Sequence, residues 1–347
     1  MKILFKQGSF EILTDDVTAL EPHKMNWLIK RCGSISHQSW KTSKKTPEEF
    51  IQMIWRIKHL SVLEHSWFCF SIKINKTNSG DHILLDLLRA NHLFCITERK
   101  KEVFVSGNAR MFTEAYIRYP SHIIATLLDR LHKQNHVLFP LTPHKDLMIA
   151  LHYVQSPCFY TNKERLIHQA MTVIFKDCSR GLTHEDVRSR NGHNKAVAYT
   201  QESTRYVDPT KKDGYKFILP YRKIDLSQKI LVGNTEISIK DSIKRMKDIY
   251  TSLIKLGLQP QEARQWLPIG IKSEIVQTFN LAEWKHWFLI RTQKAAAPEI
   301  RFVACNFLKK VQKKIPKLFD EFYFLKDKDG IEYTRFVPIS KKSLILI

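Results

Sequence analysis

The sequence predicts an α+β fold of mixed helices and antiparallel strands, and three observations carry that reading. A capped helical stripe runs directly into an alternating strand near residue 60, an αβα rhythm occupies the middle of the chain, and a series of helices closes the C-terminal half. At 43% hydrophobic and 11% aromatic, the 347 residues can bury a proper core, which excludes ordinary disorder.

The elements follow in order. Thr46-Pro47-Glu48-Glu49 reads as a helix start: Thr46 can accept from the Glu49 amide, Glu49 can reach back, and Pro47 suits the first helical position. Phe50, Ile51, Ile54, Ile57 and Leu60 continue at helical spacing. Residues 66–74 then alternate, with Phe68, Phe70, Ile72 and Ile74 on one face of a half-buried strand. Ile83, Leu84, Leu87 and Leu88 form a helical stripe, 103–105 a short strand, and Ile123, Ile124, Leu127, Leu128 and Leu131 a second stripe. A strand over 169–175 precedes a largely helical 182–199. Residues 241–256 form a helix capped by Asp241 or Ser242, with Gly257 just past its end. Helices at 260–266, 281–291 and 299–314 complete the core, 211–214 is a turn, and 331–347 is a C-terminal tail. With no repeat and no low-complexity linker, 1–330 reads as a single domain.

Lys and Arg number 56 against 34 Asp and Glu, a formal charge of +22. Such an excess suits nucleic acid, an anionic small substrate or a Lys-rich solvated surface, and composition does not choose among them. Every apolar run is interrupted before it could cross a bilayer, so no membrane association is expected. Residues 1–5 begin like a signal peptide, but Lys6, Gln7 and Glu11 end the apolar run too early. The six cysteines lie far apart without a C-x-x-C pair, which argues against a zinc site or disulfide framework and suits a reducing cytoplasm.

No P-loop, G-x-G-x-x-G cradle, H-E-x-x-H helix or nucleophile elbow is present. What remains is arginine beside hydroxyl and carboxylate groups in three segments. The first is Ser61-Val62-Leu63-Glu64-His65. The second runs from Thr183-His184-Glu185-Asp186-Val187-Arg188-Ser189-Arg190 to Gln201-Glu202-Ser203-Thr204-Arg205-Tyr206. The third holds Ala263-Arg264-Gln265-Trp266-Leu267-Pro268, Asn280-Leu281-Ala282-Glu283, Arg291 and Ala295-Ala296-Ala297-Pro298-Glu299-Ile300-Arg301. Guanidinium groups grip phosphate in a planar fork, and a serine hydroxyl adds a donor. Any one of these arginines could instead pair with a neighbouring Glu on a solvated helix. Arginines from several elements would make a pocket for a phosphorylated small molecule.

Taken together, in their order over about 33–319, these segments resemble the flavin-dependent thymidylate synthases, which methylate dUMP with methylenetetrahydrofolate and reduced FAD. The resemblance implies that family's fold, with 75–180 as a long central insertion in which Val105-Ser106-Gly107-Asn108-Ala109-Arg110 also has the family's look. It further implies NADPH as reductant and a homotetramer with sites assembled between subunits. By position, Arg291 matches the arginine that promotes ionisation at N3 of the uracil. Glu185, Arg188, Ser203, Arg205 and Arg264 match dUMP contacts, and Ser61, Glu64, Arg190, Asn280 and His286 match flavin contacts. No metal is implied.

The chain departs from the family at its Arg-His-Arg triplet. With a five-residue insertion, Arg188-Ser189-Arg190 fill the triplet and His becomes Ser189; without a gap, His193-Asn194-Lys195 fill it and both arginines are lost. The family's Asn-Leu-Arg is Asn280-Leu281-Ala282 here, and a frequent His is Ala297. These losses fall mostly on the flavin side. Two functions therefore stand: a synthase whose 191–195 segment rebuilds flavin contacts, or a diverged paralogue. The latter would perform another pyrimidine C5 modification, such as hydroxymethylation, or bind nucleotide or nucleic acid without methylation. No aromatic–basic motif of a nucleic-acid-binding module supports that last form.

Overall fold

The computed structural model describes residues 2–4, 8–74, 80–147, 149, 153–155, 161–189, 197–210, 215–221 and 224–338. Its centre is a four-stranded antiparallel sheet, ordered Ser9–Thr14, Ala170–Ser179, Lys272–Asn280 and Val197–Gln201. A second antiparallel sheet is ordered Cys95–Arg99, Glu102–Gly107, Phe68–Lys73 and Tyr153–Gln155. The α+β architecture is as the pattern predicts, with one small exception: Lys2–Leu4 and Lys216–Ile218 pair in parallel. The Ala170–Ser179 strand lies inside the 75–180 stretch and is an inner strand of the central sheet.

The Thr46 capping box forms with both reciprocal hydrogen bonds and opens the Pro47–Arg56 helix. This helix packs on Pro22–Gly33 in a core that also takes Ile83, Leu87, Leu127, Leu131 and Phe70. A second core lies between the central sheet and the helices Leu281–Arg291 and Pro298–Lys314. There Trp287 stacks on Phe175 at 5.5 Å, and Phe307 closes on Trp284 at 5.1 Å. Both indoles keep a partner: Trp284 Nε1 donates to the Met171 carbonyl at 3.0 Å, and Trp287 Nε1 to Asp186 Oδ1 at 2.7 Å.

His65 joins the first core to the central sheet. It is fully buried, with Nδ1 2.9 Å from Thr278 Oγ1 and Nε2 2.9 Å from Thr200 Oγ1. Burial pushes its pKa down to about 3, so the ring is neutral and both nitrogens serve structure. The 3₁₀ turn Leu60–His65, carrying Ser61 and Glu64, is thereby fixed against the central sheet.

Several expectations change. The strand from Phe68 to Lys73 is buried on both faces, because Cys69 and Ser71 lie beside Ser106 and Phe104 on the side that His168 covers. Leu88 is exposed, since only Ile83, Leu87 and Ala90 of Gly80–Ala90 reach the core. The helix expected over 182–199 is only Arg180–Asp186, and Val197–Gln201 is a strand. Its β-branched and aromatic residues meet the open edge of Lys272–Asn280, and cross-strand pairing prevails over helical patterning. The later helix is Ile239–Lys255, capped by Ser238, whose hydroxyl accepts from the Asp241 amide at 3.0 Å. Asp241 and Ser242 therefore sit inside its first turn. Gly257 follows with φ +96°, a conformation glycine adopts without strain. Glu332–Phe336 is a strand paired with Phe322–Lys326, and Phe336 packs against the second core, so the tail begins later than 331. The expected turn at 211–214 and residues 339–347 lie outside the described residues.

Candidate active site

Two inner strands of the central sheet each run straight into a helix, and the candidate site forms where they do. Ser179 ends one strand and caps Arg180–Asp186, accepting from the Leu182 amide at 2.9 Å. Glu299 fixes that junction by accepting from the Ser179 amide at 2.8 Å and its hydroxyl at 2.5 Å. Asn280 ends the other strand and caps Leu281–Arg291, accepting from the Glu283 amide at 2.8 Å. Its Nδ2 donates to the Ile167 carbonyl at 3.0 Å, so this flavin candidate is a buried cap using both ends of its amide.

The two helices meet at Arg291. Its Nε donates to Ser189 Oγ at 2.6 Å, Nη2 donates to the Glu185 carbonyl, and Nη1 lies 4.0 Å from Glu185 Oε2. The Arg291 side chain is 14% exposed and that of Glu185 40%. Burial pushes the arginine's pKa down, while Asp186, Glu185 and Tyr199 act the other way. Beneath it Asp186 is fully buried, accepting from Trp287 Nε1 and from Gln277 Nε2. Burial raises its carboxyl to about 7, offset in part by the Trp287 bond and the Arg291 charge.

A second cationic pair sits at the start of the same short helix. Arg180 donates from Nη1 to the Glu202 carbonyl at 2.9 Å and from Nε to His184 Nε2 at 3.2 Å. Burial and the neighbouring Arg264 both push its pKa down. The His184 pKa is also lowered, by burial and by Arg180, which leaves the ring able to accept that bond. Glu202 begins the segment that carries Ser203 and Arg205. The Ser203 amide donates to the Ser36 carbonyl at 3.0 Å, and Arg205 lies exposed over the Tyr206 ring at 5.4 Å.

The structure thus brings Glu185 and Arg291 together, and links Arg264 to the Ser203 segment through Arg180. Arg188 is exposed beside them and acts on Arg291 only through its charge. Arg190, with the alternative residues His193 and Lys195, lies outside the described residues. Ser61 is exposed, and Glu64 accepts from Arg110 Nη1 at 2.6 Å. His286 stands one helical turn after Glu283; His286 Nδ1 and Glu283 Oε2 are buried without a hydrogen-bond partner. Burial lowers the pKa of His286 and raises that of Glu283 to about 7. These two unpaired atoms fit a bound group with a hydrogen-bonding edge, as a flavin has, whereas the amide of Asn280 does not.

Sequence reasoning missed Arg180 and Asp186. Arg180 directly follows a serine at a strand end, a capping signal, and Asp186 lies within a His-Glu-Asp run. Neither signal points to a site without the fold. Among the described residues no group of three or more His, Cys, Asp or Glu is placed to hold a metal ion. No helix there is long and apolar enough to cross a membrane.

The fold is α+β, with Arg180 and Arg291 on the helices of two paired strand-to-helix junctions of the central sheet. Residues 152–317 match the family model described as thymidylate synthase complementing protein. This part of the chain is similar to the flavin-dependent thymidylate synthases. The Pyrococcus abyssi flavin-dependent thymidylate synthase is 31% identical over 156 residues, covering 45% of this chain and 59% of that protein. The enzyme of the same name from Saccharolobus solfataricus is 31% identical over 154 residues, covering 44% and 54%. The chain therefore spans little more than half the length of the curated relatives it matches. Among solved structures, the UMP/dUMP methylase PolB from Streptomyces cacaoi, bound with 5-Br UMP, aligns over 92% of this chain and 95% of its own, at 11% identity. Its TM-score of 0.39 is too low to carry an argument.

Proposed function

We propose that this chain is an enzyme that methylates C5 of dUMP to give dTMP. In this reading it uses FAD, NADPH and methylenetetrahydrofolate and works in the cytoplasm as a homotetramer. The observation that supports it best is the fixing of Arg291, whose guanidinium is held through Nε and Nη2 by Ser189 and the Glu185 backbone. A cation placed before the reaction stabilises negative charge as it develops on a pyrimidine ring, without reorganising at that moment. Arg264 lies close enough to Arg180 to disfavour the charge on Arg180, an effect that a bound phosphate would offset. Ser203 and Arg205 follow Glu202, whose carbonyl Arg180 holds.

Ser61, Glu64 and His286 would hold the flavin, which supplies hydride when bound. Ser61 and Glu64 share the 3₁₀ turn Leu60–His65 and His286 stands on the helix Leu281–Arg291, and in this reading a second copy completes the site. Glu64 is oriented by Arg110, and Asn280 keeps in shape the junction that carries His286.

The visible spectrum of the purified chain with and without added FAD tests this reading, together with dUMP titration and turnover. Arg291→Ala should abolish turnover and leave the circular dichroism unchanged; methylation surviving near the wild-type rate would show the role to be wrong. A chain that binds dUMP but takes up no FAD points to the second reading, a different pyrimidine C5 modification or binding alone. One observation favours that reading: with Arg188-Ser189-Arg190 as the triplet, the family's histidine position is the buried Ser189 hydroxyl, committed to Arg291.

A further inference from the structure

We propose that a groove running from the N-terminal helix Pro22–Gly33 onto the family-matched segment binds single-stranded nucleic acid. Two clefts, of about 610 and 630 Å³, meet at Arg31 and Trp40, which line both. One runs past Trp27, Lys24 and His23 on the helix Pro22–Gly33. The other runs past Lys41, Lys176, Lys216 and Lys272 to Asp208, just beyond the Ser203 segment. Together they form an open groove with Arg31 and Trp40 at its middle.

The meeting point is built of stacked aromatic and cationic groups. Trp27 and Trp40 stand edge to face at 5.7 Å, and the Arg31 guanidinium lies 4.8 Å from the Trp40 ring centre. Lys30, only 4% exposed, holds both indoles, with its ammonium 5.1 Å from the Trp27 ring and 5.9 Å from that of Trp40. The same ammonium donates to the Lys45 carbonyl. The indoles are thus set in place before any ligand arrives, and Trp27 remains 48% exposed.

The charges in the channel sort into two groups. Lys176 is paired with Glu11, and Lys272 with Glu202 at 3.1 Å and Glu274 at 2.8 Å. Lys24, Arg31 and Lys41 have no carboxylate within 4 Å among the described residues. Exposed indole faces between such cations are what single strands use: each base stacks on a ring and each phosphate takes a cation. A duplex hides its own bases and so offers no ring to stack on these indoles. A free mononucleotide would occupy only part of the channel.

The test is fluorescence anisotropy of a labelled oligothymidylate about a dozen nucleotides long, titrated with the full chain at about 50 mM salt and above. Three phosphate contacts predict a log–log salt slope of about −2. Trp27→Ala with Trp40→Ala, and separately Arg31→Ala with Lys41→Ala, should each weaken binding at least about tenfold. Trp27 and Lys41 are exposed and Arg31 and Trp40 half-buried, and circular dichroism confirms that the variants fold. Lys310→Ala with Lys313→Ala removes the same charge from an exposed stretch of Pro298–Lys314 and should change affinity less than about twofold. Equal losses in the two double-charge variants would mean diffuse attraction and overturn the proposal. Duplex binding as tight as single-strand binding would overturn it too, as would displacement of the strand by dUMP.

Discussion

Replacing Asp186 with Asn isolates the electrostatics beneath Arg291. A carboxyl moved from 3.8 to about 7 holds its proton more tightly in the folded chain than in the unfolded one. Its stabilising effect is complete below pH 4, falls as pH rises to about 7, and then stays constant. At pH 8 the ionised carboxylate costs the fold at most about 4 kcal/mol, and at pH 5 under 2 kcal/mol. Asn cannot ionise, and it keeps an oxygen for the Trp287 indole. Its amide would meet Gln277, whose Oε1 is buried without a hydrogen-bond partner and becomes the acceptor once that side chain turns over. The variant's stability relative to wild type should therefore rise by about 3 kcal/mol between pH 5 and pH 8. Urea unfolding at the two pH values measures it. Asp186→Ala, which cannot ionise either, should show the same rise with pH, offset at every pH by a loss of about 1–3 kcal/mol for each of the two buried donors it strands. A difference between Asn and wild type that does not change with pH would refute the reasoning, because it would mean that Asp186 titrates normally.

Arg264→Ala should weaken dUMP binding by about 1.5–3 kcal/mol, the value of a charged hydrogen bond. Arg180→Ala should weaken it comparably, and calorimetry that finds both unchanged would count against the pocket. His65, neutral with a pKa near 3 in the fold, stabilises fully above its usual 6.5, and that stability is lost as pH falls toward 3. By pH 4.5 the loss is about 3 kcal/mol, seen as an acid-shifted urea midpoint. His65→Asn should start about 1–3 kcal/mol less stable at pH 7 and lose less on acidification.

The fold was legible wherever the signal is local. The Thr46 box, the glycine after 239–255 and the stripes at 122–134 need only neighbouring residues, and they stand as expected. Val197–Gln201 was not legible, because it is a strand only through its partner some eighty residues later. The same distance hid parts of the site. Arg291 and Glu185 came from motif order, yet Arg180 owes its place to the carbonyl of Glu202, which the next strand brings beside it. Trp27 and Trp40 share no motif; a helix, a 3₁₀ turn and the buried Lys30 bring them together.

The same burial sets the sign of the field that a substrate meets. Burial holds Asp186 and Glu283 near 7, so these two acids are less charged near neutral pH than a formal count implies, and burial also raises Glu202 and Glu299. Burial depresses Arg180 and Arg291, but from so high a starting value that they stay cationic at neutral pH. Near pH 7 the site is therefore more positive than its sequence, and it loses that excess as Asp186 and Glu283 ionise. Affinity for dUMP should consequently fall between pH 7 and pH 8.5, a range in which the nucleotide phosphate is already a dianion. Asp186→Asn should reduce that fall, since one of the two titrating carboxyls is gone. An affinity flat over this range in the wild-type chain would mean that the buried acids do not reach the nucleotide, and that Arg291 acts on it alone.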